Sequence, residues 1–138
     1  MRHRRNTRRL GRSGAHRKAL MSALVRGLVE QKRIKTTVAK AKEARSVAEK
    51  MVTLGRKGGL ASRREAISAL GRVGTVKILF DEIVPACQDR NGGYTRIVRL
   101  GQRRGDGSEM AILEWIGISA PVKSPKKKAK PEKEQAAK

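Results

Sequence analysis

The chain has 138 residues, enough for one small domain with tails, and carries 34 Lys and Arg against 12 Asp and Glu. A formal net charge of +22 and a pI of about 11.5 exceed what solubility requires and point to a large anionic partner. The lone cysteine, Cys87, excludes an intrachain disulfide and a cysteine-based metal site, and no apolar run is long enough for a signal peptide or a membrane span.

Residues 1–18 hold seven Arg, one Lys and no acid. Such a segment has too little apolar surface to fold alone, and its charges repel one another. A mixed-sign charge run is ordinarily a solvated face. A run with no compensating acid instead reads as an arm that orders against a polyanion, and residues 1–15 are assigned to it. His3 and His16 lie in this basic stretch, where no further metal ligands accompany them.

From His16 to Glu30, Leu20, Ala23, Leu24, Gly27 and Leu28 recur at helical spacing, with Ser13 or Gly14 as cap. Arg33 to Thr37 is short and β-prone and predicts a strand. Thr36 or Thr37 then caps a second helix over Val38 to Leu54. Its expected buried face is Ala41, Ala44, Val47, Ala48, Met51 and Val52. Gly55 to Gly59 predicts a glycine-rich loop, without the spacing of a phosphate-cradling P-loop. Ser62 and Glu65 have capping-box spacing and predict the start of a third helix that ends before Gly71. Thr75 caps a fourth, striped by Val76, Leu79, Phe80 and Ile83 and ended by Pro85.

Two strands follow, over Tyr94 to Leu100 and over Met110 to Ile116. Asp106-Gly107 between them favours a tight hairpin turn. The second of these strands is nearly all apolar, which predicts that it is well covered. The expected fold is α+β: a small three-stranded sheet covered by about four helices, within a globular domain spanning residues 16–118. Residues 119–138 change to Lys, Ala, Pro and Glu and predict a disordered tail. Its cations are all Lys, which act as hydrated point charges. The arm is built from Arg, which makes bidentate phosphate contacts and stacks on bases.

No catalytic constellation is visible. The acids are scattered beside Lys and Arg, and a lone cysteine near a helix end reads as a packed residue. Arg104-Gly105-Asp106 spells an adhesion tripeptide, read here as a coincidence of the hairpin turn. No cofactor, metal or small-molecule substrate is expected. What remains is phosphate binding. An irregular Arg-rich arm suits folded RNA. No helix-turn-helix, zinc or basic-zipper pattern is apparent. With Phe80, Tyr94 and Trp115 the only aromatics, single-strand stacking platforms are nearly absent, and so is the means to settle at a membrane interface.

Several motifs then occur in one order: Met1-Arg2-His3-Arg4, Leu10-Gly11-Arg12, His16-Arg17-Lys18-Ala19-Leu20, Ile34-Lys35-Thr36-Thr37, Ala39-Lys40-Ala41-Lys42-Glu43 and Gly92-Gly93-Tyr94-Thr95-Arg96-Ile97. Together they closely resemble the L-seventeen family of bacterial large-subunit ribosomal proteins, over about residues 1–117. The resemblance implies a structural, non-catalytic constituent of the large ribosomal subunit in the cytoplasm. It also implies a three-stranded α/β domain on the solvent side of the subunit near the nascent-chain exit, touching large-subunit ribosomal RNA and neighbouring ribosomal proteins.

The expected RNA contacts are Arg2, His3, Arg4, Arg5, Arg8, Arg9 and Arg12 in the arm, and His16, Arg17 and Lys18 continuing it onto the first helix. Lys35, Lys40 and Lys42 follow on the body, with Tyr94 and Arg96 from the family motif and Arg103 and Arg104 at the hairpin tip. Tyr94 has a second reading, as a structural residue at a strand start. The rival functions are a nucleoid-type DNA-binding protein and an RNA-modifying enzyme.

Overall fold

The computed structural model describes residues 8–118. The segments 1–7 and 119–138, which include Arg2, His3, Arg4, Arg5 and the lysine-rich tail, lie outside the described residues. Ser13 opens the first helix, α1 (Gly14–Gln31). Its extended backbone turns its side chain to accept the His16 N–H at 3.5 Å, satisfying one of the free amides of a helix start. One residue, Lys32, joins α1 to strand β1 (Arg33–Thr37). It takes a left-handed conformation, φ 64°, which a residue with a Cβ adopts at a cost of about 1–2 kcal/mol. Two contacts hold it there: its Nζ pairs with Glu82 at 2.5 Å, and its carbonyl accepts the Trp115 N–H at 3.3 Å.

Helix α2 (Val38–Lys57) follows β1 directly. Thr37 occupies its cap position but makes no side-chain cap bond. The expected buried face is present: Ala41, Ala44, Ala48, Met51 and Val52 are buried, and Val47 is half-buried. The small side chains let α2 lie close against the sheet. The glycine-rich loop expected after Leu54 is not there. α2 runs on through Gly55, because this glycine packs against a neighbouring helical turn rather than ending its own. A Cβ at Gly55 would overlap Val84 Cγ2, with Val84 Cβ and Cγ1 at 3.4 and 3.6 Å. The chain breaks only at Gly58, φ 66°, and then forms α3 (Gly59–Leu70). Ser62 therefore lies inside α3, and the capping box expected at Ser62 and Glu65 does not form. Glu65 faces Lys50 on α2 instead, at 3.9 Å.

The fourth helix is composite: α4 (Val73–Ile78), a π-helical turn (Leu79–Ile83) and a short α5 (Val84–Ala86). Thr75 is not its cap. It is buried, and its hydroxyl donates to Glu30 Oε1 on α1 at 2.8 Å. In the π turn the Val84 N–H reaches back to the Leu79 carbonyl. Pro85, which has no N–H, follows at once and is accommodated within α5, so the helix ends just after it. The expected apolar stripe holds: Val76, Leu79, Phe80 and Ile83 are all buried.

Strands β2 (Thr95–Gln102) and β3 (Glu109–Trp115) complete an antiparallel sheet of order β1-β3-β2, with Ile34 opposite Leu113 and Ile97 opposite the same residue from the other side. A bulge between Arg99 and Gly101 shifts the β2 register. The hairpin is looser than the expected tight turn: Arg103 N–H bonds the Ser108 carbonyl at 2.8 Å, and Gly107 N–H bonds the Arg103 carbonyl at 3.0 Å.

Strand alternation gives the sheet two unlike faces. Ala111, Leu113 and Trp115 of β3 are buried beneath α1 and α2, and Trp115 Nε1–H donates to the Leu28 carbonyl of α1 at 3.0 Å. Met110, Ile112 and Glu114 alternate to the opposite face and are only half-buried, so β3 is covered on one side rather than both. In α1 the buried stripe is Met21, Val25, Leu28 and Val29, offset from the expected one. Leu20 and Leu24 sit at its margin, and Ala23 is exposed. The α+β expectation, with three strands and four helices counted with the composite one, holds.

Candidate nucleic-acid interface

The cations of the described residues divide into those that spend their charge inside the protein and those that do not. Seven ion pairs form. On the helices, Arg17–Glu43, Arg45–Glu49, Lys50–Glu65 and Arg72–Glu30 pair at 3.3, 3.0, 3.9 and 3.9 Å. Lys32–Glu82 fixes the α1–β1 link, and Arg96–Glu114 and Arg103–Asp106 lie on the strands and hairpin. Each pair consumes one of the few acids, so the remaining Lys and Arg are left without a protein anion among the described residues.

Of the expected contacts, Arg8, Arg9, His16, Lys18, Lys35, Lys42 and Arg104 are exposed, Arg12 and Lys40 are half-buried, and all of these Lys and Arg lack an ion-pair partner among the described residues. Arg12 is tied locally. Its guanidinium donates to the Leu10 carbonyl at 2.7 Å, and its N–H closes a turn onto the Arg9 carbonyl at 3.2 Å. Leu10, half-buried, rests on the hydrophobic core. The arm is therefore moored to the body by Leu10, and Arg8 and Arg9 are carried just ahead of the mooring.

Arg17 is half-buried and donates to Glu43, itself buried in α2. This pair bridges α1 and α2. The Nε atoms of Arg12 and Arg17 are both buried without a hydrogen-bond partner. Arg96 sends Nε and Nη2 to one Glu114 oxygen, at 2.9 and 2.6 Å, across the β2–β3 ladder. Arg103 forms a two-point pair with Asp106, Nε to Oδ1 at 2.9 Å and Nη2 to Oδ2 at 2.5 Å. That guanidinium, with hydrogen bonds from Ser108, holds the Asp106 carboxyl well below the usual carboxylate range, and Asp106 in turn raises Arg103.

Tyr94 is 4% exposed. Its hydroxyl accepts from Arg56 Nη1 at 2.9 Å, the same guanidinium nitrogen donates to the Arg90 carbonyl at 2.7 Å, and the Tyr94 carbonyl accepts the Ile116 N–H. Its ring is enclosed, so the geometry supports the structural reading of Tyr94: it fastens the start of β2 to the end of α2.

Sequence reasoning passed over Arg99. It shares a cleft with Arg8 and Lys42, bringing together three cations far apart in the chain. The signal was present: Thr95, Ile97 and Arg99 have one parity on β2, and a charge on the core-facing parity marks where the core ends.

Cys87 is buried, and burial pushes its thiol up against the opposing pull of Arg90 and Arg56. Among the described residues no group of His, Cys, Asp and Glu could hold a metal ion, and no helix is long and apolar enough to cross a membrane.

The chain is similar to known proteins along nearly all its length. The family model described as ribosomal protein L17 matches residues 20–116. The large ribosomal subunit protein bL17 of Finegoldia magna is 52% identical over 122 residues, covering 88% of this chain and 93% of the relative. Those of Desulfotalea psychrophila and Trichlorobacter lovleyi are 50% and 48% identical, covering 88% and 90% of this chain and 95% and 100% of the relatives. The matched span runs from the middle of α1 to the end of β3 and so takes in the whole sheet with the helices that cover it. The chain therefore belongs to the ribosomal protein L17 family.

Proposed function

We propose that this protein is a structural, non-catalytic constituent of the bacterial large ribosomal subunit, where it binds and stabilises large-subunit ribosomal RNA beside neighbouring ribosomal proteins in the cytoplasm. The observation that carries this is the near-half to half identity, over almost the full length of both chains, to proteins named for that subunit. The physical chemistry agrees with it. The chain carries a net charge of +22, and most Lys and Arg of the described residues have no acid partner among those residues; each phosphate such a cation neutralises releases condensed counterions.

Within that function the arm, moored at Leu10, leads Arg2, His3, Arg4, Arg5, Arg8 and Arg9 into the RNA. Arg12, His16, Arg17 and Lys18 extend the cationic surface onto α1, and Lys35, Lys40, Lys42 and Arg104 add contacts from the body. Arg96 and Arg103 contribute through the outward parts of guanidinium groups whose carboxylate partners fix their orientation. Sedimentation of a tagged chain through a sucrose gradient tests the proposal. Co-migration with the large subunit is expected. Migration with the nucleoid, or free at the top of the gradient, would reject it.

A further inference from the structure

An open cleft of about 400 Å³ lies where the arm, α2 and the hairpin meet. It is lined by Arg8 of the arm, by Thr37, Val38, Ala39 and Lys42 around the start of α2, and by Arg99, Ser108 and Glu109 of the β2–β3 hairpin. Three of these side chains are cationic and one is anionic. The three cations come from segments far apart in sequence, and none forms an ion pair among the described residues. Seven other cations are each placed against an acid, whereas the one acid lining this cleft, Glu109, forms no ion pair with any of the three. Bringing three like charges to one cleft is unfavourable unless an anion joins them. The volume falls within the range of roughly 300–1,000 Å³ typical of ligand pockets.

Two further features suit an anion there. Register places Arg99 opposite the buried Ala111, on the helix-covered side of β2, yet Arg99 itself is exposed because the core has ended. The first turn of α2 also contains no acid, and Thr37 makes no cap bond, so no side chain of the cap residue competes for the first amides of this 20-residue helix.

We propose that this cleft is a phosphodiester-binding site that clamps the ribosomal RNA backbone between the arm and the body, with Arg99 and Lys42 as its fixed walls and Arg8 closing over it. This rests on the RNA-binding function proposed above and adds the place where one backbone segment is held. Guanidinium groups from two sides can each give two parallel hydrogen bonds to phosphate oxygens, while the Lys42 ammonium supplies a point charge. Glu109 opposes the ligand and sets a limit on affinity.

The test measures binding of the full-length chain to large-subunit ribosomal RNA as a function of salt. Lys42→Gln with Arg99→Gln is compared with Arg45→Gln with Lys50→Gln, an equal loss of charge at exposed, ion-paired positions outside the cleft. Loss of two phosphate contacts should lower the steepness of log K against log salt by about 1–2 and weaken binding roughly tenfold or more, whereas the control pair should do neither. Glu109→Gln should tighten binding, and Asp81→Asn should not. Unchanged urea unfolding of the variants separates these effects from folding.

If the wild-type chain fails to bind the RNA in a salt-dependent manner, the proposed function itself falls. If the wild type binds and the cleft pair behaves like the control pair, the clamp alone is overturned. Inorganic phosphate that stabilises the wild type against heat, with RNA binding insensitive to the cleft substitutions, would assign the cleft to a free anion and likewise overturn it.

Discussion

Substituting Gly55 by Ala tests how α2 is joined to the composite fourth helix. At an open helical position the change would stabilise the protein by about 1 kcal/mol, because Ala is the better helix former. Here the new methyl would overlap Val84 Cγ2, and Val84 Cβ and Cγ1 close the other directions at 3.4 and 3.6 Å. Val84 is buried, and its helical backbone holds a β-branched side chain to one strongly preferred rotamer, so turning it aside is itself costly. Overpacking of this kind costs about 1–3 kcal/mol, which offsets or exceeds the helical gain.

The decisive quantity is the double-mutant cycle with Val84→Ala. That substitution alone should cost about 1.5–2 kcal/mol for two buried methyl groups. In its background Gly55→Ala should turn stabilising by about 1 kcal/mol, which gives a favourable coupling of about 1–3 kcal/mol between the two sites. Urea unfolding followed by circular dichroism measures all four proteins. If Gly55→Ala stabilises the wild type and the cycle shows no coupling, the close approach of the two helices is wrong.

Three other expectations follow from the same contacts. Trp115→Phe removes the Nε1–H bond to the Leu28 carbonyl and leaves a gap beneath α1; it should cost about 2–4 kcal/mol in urea unfolding, and a loss below 1 kcal/mol would contradict that geometry. Deleting residues 1–12 should sharply reduce incorporation into large subunits while the body stays folded, losing only about 1 kcal/mol for the half-buried Leu10; normal incorporation would refute the arm as anchor. Asp106 has a lowered folded-state pKa, so its contribution to hairpin order is present above the unfolded value of about 3.9 and is lost only as pH falls below it. The Ser108 amide resonance should therefore titrate in NMR well below the ordinary Asp midpoint, with the response absent in Asp106→Asn; a midpoint near 3.9 would show that the pair with Arg103 does not form in solution.

The order of elements was legible in the sequence because its signals are local. Ser13 caps its helix through its own side chain, Arg33 to Thr37 is β-branched and short, and the Ala face of α2 repeats at helical spacing. What failed depended on distant partners. Gly55 looks like a helix stop until Val84 is seen beside it. Ser62 and Glu65 spell a cap, but Gly58 breaks the chain one turn earlier. Thr75 looks like a cap and is a buried donor to Glu30.

The same distinction runs through the candidate interface. Its cationic character could be read from composition. Which cations are neutralised could not, since Arg17 and Glu43 are 26 residues apart and Arg96 and Glu114 are 18 apart. For the same reason the two readings of Tyr94 stayed open and Arg99 went unassigned. The aromatic is enclosed by Arg56 and the sheet, and the strand cation lines the cleft.

The central claim is that the unpaired cations face ribosomal RNA, and crosslinking in intact cells tests it most directly. Photochemical crosslinks mapped on both the protein and the nucleic acid should join residues 1–18, Lys42 and Arg99 to large-subunit ribosomal RNA. Ion-paired Arg45 and Lys50 on the middle of α2 should stay largely free of them. Crosslinks that run to DNA, or that favour the paired cations over the unpaired ones, would contradict the account.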